Sequence, residues 1–231
     1  MVEGADAEGA ATQLSSEEKK VFSDWSAKEV ILPRQAVIDD GADIGKVNVG
    51  EGWKRVAAMP NQAPYAALRV LGGGRVLLLG HEQMLTFQTA EGKNPFLHAA
   101  LEWLKGKDGG RVLVSAKPTD SILQFTETNY ALPLLQKQWA SWDFPVTTVA
   151  DRIDGGKLAS VGVVVVPNAW EMERSEIDAI EAFVKGGGGL LAAGLAWSWA
   201  GAHDGKPIGE YPMNRWCRGL GRSLGSSSTS T

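Results

Sequence analysis

The sequence predicts an α/β domain with a mostly parallel sheet and an antiparallel pair at one edge. Three observations carry this. Val161–Val166 is an uninterrupted apolar run, the pattern of a strand buried on both faces of a parallel sheet. Through the second half of the chain, short β-branched runs alternate with segments of helical period, which means parallel strands joined by crossover helices. Earlier, Ala63–Val70 and Arg75–Gly80 flank Leu71-Gly72-Gly73-Gly74, a glycine-rich loop suited to a hairpin.

Each element follows from local pattern. Met1 to Gln13 is small, acidic and Gly/Ala-rich, too poor in apolar residues to order itself. Ser15-Ser16-Glu17-Glu18 sets a cap before an acidic first turn and predicts a helix running towards Val30. Leu32–Glu51 has little periodicity and reads as an irregular approach. After the hairpin, Pro95 opens a helix on which Phe96, Leu97, Ala100, Leu101 and Leu104 share a face. Gly109-Gly110 then lead into a strand at Arg111–Ala116. A helix is expected over Asn129–Trp142, with Pro133 near its start, and a short strand at Val146–Val149. Ser175 with Asp178 reads as a capping box for a helix over Glu176–Lys185, and Gly186–Gly189 lead into a strand at Leu190–Ala193. These readings give an arm over 1–44 with a short helix, one α/β domain over 45–221 and a loose tail over 222–231.

Composition narrows the function. A net charge of -4 without any clustered Lys/Arg stripe argues against a nucleic-acid partner, which needs such a stripe to displace counterions. The single cysteine, Cys217, cannot form an internal disulfide and fits a reducing compartment. The acidic N-terminus does not have the form of a signal peptide, and no apolar run approaches the roughly 20 residues of a membrane span. A cytoplasmic protein that does not span the membrane is the expectation.

Ligands of open α/β sheets bind outside the carboxyl ends of the strands. That rule selects His81-Glu82, Lys117–Asp120, Asn168–Trp170 and Gly194–Ser198. His81-Glu82 has two readings, a ligand-facing acid/base pair or hydrogen bonds that fix the turn. A zinc site of the His-Glu-x-x-His type is excluded because Leu85 stands at the second histidine position. Gly186–Trp199 has the layout of a nucleophile turn, with a small-residue strand and then a sharp bend. The residue at its tip is Gly194, which has no side chain to attack with. Ser198 comes four residues late between Trp197 and Trp199, and His203 lies in a nearby Gly-Ala-His-Asp-Gly stretch. The glycine run lacks the Gly-Lys-Ser/Thr of a phosphate loop and enters a strand, so it ends a helix and cradles no phosphate. Trp103 and Trp139 fall on helix faces and read as core. Trp170, Trp197 and Trp199 lie at strand tips, where they either pack or line a cleft for sugars or a partner's apolar side chains.

Three segments together resemble the TRP-channel-associated factor family, which is linked to enhancin-like metallopeptidases. They are Gly74–Glu82, Gly186–Trp199 with its Ala-Trp-Ser-Trp, and Tyr211-Pro212-Met213-Asn214-Arg215, similar to a Tyr-Pro-Gly-Asn-Arg loop with Met213 in place of glycine. The resemblance implies a class I glutamine-amidotransferase-like domain, a flavodoxin-like three-layer sandwich. An active amidotransferase of this fold would carry a cysteine where Gly194 stands and a later His-x-Glu; this sequence has neither, so the domain is expected to be non-catalytic and to need no cofactor or metal. A protein partner is implied, a membrane channel among the candidates, with a place at the plasma membrane; glycans are the alternative ligand. A hydrolase using Ser198 or His81/Glu82 is the third reading. His81, Glu82, Trp170, Gly194, Trp197, Trp199 and Asn214 are the expected binding residues.

Overall fold

The computed structural model describes residues 14–22, 54–58, 64–80, 82–85, 94–105, 109–116, 131–194 and 196–222. Seven strands form one sheet: β1 (Lys54–Ala58), β2 (Pro64–Leu71), β3 (Gly74–Leu79), β4 (Val112–Ser115), β5 (Val146–Ala150), β6 (Val163–Val166) and β7 (Gly189–Ala192). Their order is β1-β2-β3-β7-β6-β4-β5. The five strands from β3 to β5 run parallel, whereas β2 is antiparallel to both β1 and β3. The expected hairpin is β2–β3, turning at Gly72 with Leu71 opposite Gly74. The further edge strand β1 carries Lys54-Arg55 and too short an alternation to announce itself.

Among the described residues there are seven α-helices, α1 (Ser16–Phe22), α2 (Pro95–Leu104), α3 (Ala131–Ala140), α4 (Gly155–Leu158), α5 (Arg174–Lys185), α6 (Ala196–Ala202) and α7 (Pro212–Arg222), and two 3-10 turns, Glu82–Leu85 and Ile208–Glu210. Alternate residues of the central strands point to opposite faces. Leu77, Val112, Val114, Val163, Val165 and Leu191 meet α2 and α3 on one face. On the other, Val76, Leu113, Val164, Val166, Leu190 and Ala192 meet α4, α5 and α7. This is a three-layer α/β sandwich of flavodoxin-like form, and it explains why Val163–Val166 had to be apolar throughout.

Local chemistry fixes the helix starts. Ser15 and Glu18 exchange bonds, Ser15 N–H to Glu18 Oε2 at 2.7 Å and Glu18 N–H to Ser15 Oγ at 3.2 Å, the reciprocal pattern of a capping box. The helix they cap packs against α2. Residues 23–53, which include the expected continuation to Val30, lie outside the described residues. Asn94 Oδ1 accepts the Leu97 N–H at 2.9 Å, and its Nδ2 donates to the Met84 carbonyl at 3.0 Å, which ties the start of α2 to the turn after β3.

The cap of α5 corrects the sequence expectation. Its N-cap is Glu173, two residues before Ser175, and Glu176 turns back so that Oε2 accepts the Glu173 N–H at 2.9 Å. The other oxygen of Glu176 accepts the Ile153 N–H at 2.9 Å, and the residue is buried. Glu176 therefore satisfies two backbone donors on different elements, which Asp178, ion-paired on the surface with Arg174, could not do.

Candidate functional site: the carboxyl ends of β6 and β7

The chain reaches β5 from β4 on one side and then returns to β6 on the other, so a topological switch point lies between β4 and β6. At the carboxyl end of β6 stand Asn168, Ala169 and Trp170; at that of β7 stands Gly194. Lys117–Asp120, past the end of β4, lie outside the described residues.

Gly194 has φ +138°, a conformation that side-chain-bearing residues rarely adopt, and α6 begins two residues later. The strand–turn–helix of a nucleophile turn is thus present. The space beside it is filled. A Cβ on Gly194 would overlap the Tyr211 hydroxyl, and the next nearest atom of that ring is 3.5 Å away. The Tyr211 oxygen accepts the Ala169 N–H at 3.1 Å. Burial pushes the Tyr211 hydroxyl far above its usual titration range, against the Ala169 hydrogen bond, and the charge of Glu82 adds to the rise. Tyr211 is therefore a neutral phenol, held between the tips of two strands.

Asn168 is buried and its Oδ1 accepts the Trp170 N–H at 3.0 Å, a local turn bond that shapes the loop. Its Nδ2 is buried with no hydrogen-bond partner among the described residues, as are the indole N–H groups of Trp170, Trp199 and Trp216.

An aromatic chain continues from Tyr211. Trp199 meets it edge-on at 5.9 Å, His203 stacks on Trp199 at 4.6 Å, and Trp170 meets His203 edge-on at 6.0 Å. Trp170 and Trp199 are only 6% and 5% exposed, so their broad faces are spent on packing and on His203. The His203 Nδ1 lies 2.8 Å from the Trp199 carbonyl, and its Nε2 lies 3.6 Å from Glu171 Oε1.

Glu82, buried in a 3-10 turn over Glu82–Leu85, is near enough to Tyr211 to act on it electrostatically. His81 lies outside the described residues, as do the side chains of Trp197 and Ser198, whose backbone belongs to α6. Asn214 stands in the first turn of α7, half-buried; Tyr211–Arg215 is a helix start with Pro212 at its first position, and not the loop that the motif suggested. Burial pushes the Cys217 thiol up to about 12, with Arg69 pulling the other way, which makes it a poor nucleophile at neutral pH. Among the described residues, no three His, Cys, Asp or Glu side chains converge as metal ligands, and no helix is long and apolar enough to cross a membrane.

Sequence reasoning placed Gly194 at the tip but missed Tyr211, which approaches it from seventeen residues further along the chain. In the sequence the tyrosine opens the Tyr211–Arg215 motif. Nothing in its spacing says that its hydroxyl returns to β7.

Comparison with known proteins falls on this same unit. Residues 160–231 match the family described as "TRPM8, N-terminal domain". A TRPM8 channel-associated factor homolog of Danio rerio is 29% identical over 173 residues, 74% of this chain and 16% of that protein. TRPM8 channel-associated factor 1 of Homo sapiens is 29% identical over 159 residues, 68% of this chain and 14% of that protein. The chain thus spans about one sixth of the length of these relatives. Among solved structures, the IMPa metallopeptidase from Pseudomonas aeruginosa aligns at 16% identity and a TM-score of 0.43, over 62% of this chain and 16% of that one. The chain is similar to the TRPM8 channel-associated factors, the family that its three motifs resemble.

Proposed function

We propose that this chain is a non-catalytic, class I glutamine-amidotransferase-like module that acts by binding a protein partner. The observation that supports this reading best is the Tyr211 hydroxyl beside Gly194. A nucleophilic cysteine at that position needs a thiol in open space with a base at hand. Here the position has no side chain, and the volume is taken by a neutral phenol bonded to Ala169.

The names of the relatives say that they associate with TRPM8. Carried to this chain, that makes a membrane channel the leading partner, with a cytoplasmic site near the plasma membrane. The resemblance of its motifs to the enhancin-like family supports a module that accompanies a metallopeptidase domain in a longer architecture. Of the binding residues expected from sequence, Trp170, Trp199 and Gly194 stand at the strand tips, Glu82 acts electrostatically on Tyr211, Asn214 stands in the first turn of α7, and His81 and Trp197 complete the proposed set. The near-complete burial of Trp170 and Trp199 leaves no open aromatic face for a sugar to stack on, which counts against the glycan reading.

A glutaminase assay tests the first half of the reading. No ammonia release above a heat-inactivated control is expected from the wild-type chain. Release that disappears on a point change beside Gly194 would overturn the proposal. Immobilised chain should retain detergent-solubilised TRPM8, and a bound glycan in an array should be absent.

A further inference from the structure

We propose that His203 and Glu171 form a binding site for a divalent transition metal of the zinc class, on the outer side of the strand-tip aromatic cluster. His203 is held as a metal-ligating imidazole usually is. Its Nδ1 lies 2.8 Å from the Trp199 carbonyl oxygen. A carbonyl can only accept, so Nδ1 carries the proton and the lone pair of the neutral ring is on Nε2. The ring plane is fixed as well, stacked on Trp199 at 4.6 Å and 25° and braced by the edge of Trp170 at 6.0 Å and 74°.

The fixed lone pair faces a carboxylate. Glu171 Oε1 is 3.6 Å from Nε2, too far for a hydrogen bond. Two ligands that share one zinc ion at tetrahedral angle, each about 2.1 Å from it, stand about 3.4 Å apart. The observed separation matches that spacing within a small turn of an exposed side chain. Side-chain exposure is 25% for His203 and 54% for Glu171, so an ion reaches the pair from solvent without any opening of the core. Imidazole nitrogen with a single carboxylate selects zinc, copper or nickel over magnesium and calcium, which prefer all-oxygen sites. Two protein ligands leave the remaining positions to water or to a donor from a partner, so the site is one of moderate affinity.

The pair is separate from the Gly194–Tyr211 contact, and its fate is independent of the non-catalytic reading. Zn2+ titrated into the intact chain at neutral pH, followed by calorimetry, should give one-to-one saturable binding, and Mg2+ should give none. His203→Ala should lower the zinc affinity at least about tenfold, a loss typical of even an outer-sphere partner of a metal site. Because that change also removes a ring from the aromatic cluster, Glu171→Gln provides the second variant: it lies on the surface, leaves packing intact and should weaken binding as well. His98→Ala, on α2, should leave the isotherm unchanged. An isotherm that survives both His203→Ala and Glu171→Gln, equal binding of Mg2+, or the absence of saturation up to millimolar Zn2+ would each overturn the site.

Discussion

The two ends of the sheet are built on opposite principles. At the amino ends of the parallel strands, backbone packs directly on backbone. A Cβ on Gly74 would overlap the carbonyls of Val184 and Gly188, and one on Gly189 would overlap that of Leu104. Gly73 N–H donates to the Lys185 carbonyl at 3.1 Å and Arg75 N–H to that of Gly188 at 3.2 Å. Arg75 Nη1 adds a bond to the Trp103 carbonyl at 2.5 Å, closing the last turn of α2. At the carboxyl ends, side chains do the closing: one phenol, two indoles and an imidazole fill the space over β6 and β7, and several buried donors have no acceptor among the described residues. Main-chain closure allows no substitution. Side-chain closure can be exchanged residue by residue, which is why a binding function can change at one end of such a fold and not at the other.

Breaking the glycine-packed end should have the largest effect. Gly74→Ala forces a methyl group onto two fixed carbonyls, and neither belongs to a flexible side chain. We expect a loss of about 3 kcal/mol or more in urea denaturation, or a chain that does not fold. A loss below about 1 kcal/mol would mean that this end yields as side chains do.

Next comes the side-chain end, where the prediction is one of coupling. Gly194→Cys introduces both an unfavourable φ and a clash with the Tyr211 oxygen, and should cost about 2–3 kcal/mol. Tyr211→Phe alone strands the Ala169 N–H and should cost about 1–2 kcal/mol. Combined, they should cost less than the sum, because the phenylalanine lacks the atom that the new Cβ meets. Strict additivity in a double-mutant cycle would show that the two residues do not compete for space.

The α5 cap gives a smaller effect of related kind. Glu176→Ala removes the acceptor of both Glu173 N–H and Ile153 N–H and should cost about 1–3 kcal/mol by thermal or urea unfolding. The exposed Arg174–Asp178 pair on the same helix should contribute no more than about 0.5 kcal/mol when Asp178 becomes Asn.

Last is the response to alkali. Cys217 and Tyr211 both have folded values raised above the ordinary 9.0 and 10.0, so the folded state holds protons that the unfolded state releases. Their contribution is fully present below pH 9.0 and is lost as the pH climbs through the range between unfolded and folded values. Stability should therefore fall with rising pH from there, and Cys217 should react with a disulfide reagent at neutral pH only after denaturant is added. Rapid labelling of the native chain would contradict a raised, partly buried thiol.

The fold was legible where burial demanded a pattern. The apolar run at 163–166, the helical spacing at 96–104 and the glycine-rich hairpin each state their partners' chemistry in their own residues. Gly194 was legible for the same reason, as the end of a small-residue strand. What fills the space beside it was not, because the Tyr211 oxygen is held there by the Ala169 N–H, a contact from a distant part of the chain that no local period encodes. The capping of α5 was misplaced since Glu173 and Glu176 do the work of Ser and Asp, with Glu176 serving Ile153 as well. The helix α6 was hidden by its Trp-Ser-Trp, which reads as a turn motif. The bend it follows is real, and the helix begins just beyond it.

The pairing of β3 with β7 has a consequence for synthesis. The first parallel strand to leave the ribosome waits for a neighbour roughly a hundred residues downstream, several seconds at ordinary translation rates. During that interval one long side of the β2–β3 hairpin stays open, with Val76, Leu77 and Leu78 on its strand. Residues 160–231, the stretch that matches the family model, supply only β6 and β7, whose partners β3 and β4 lie upstream. That stretch cannot close a sheet by itself, and a nascent chain carrying everything before it remains an unfinished sheet in search of an edge.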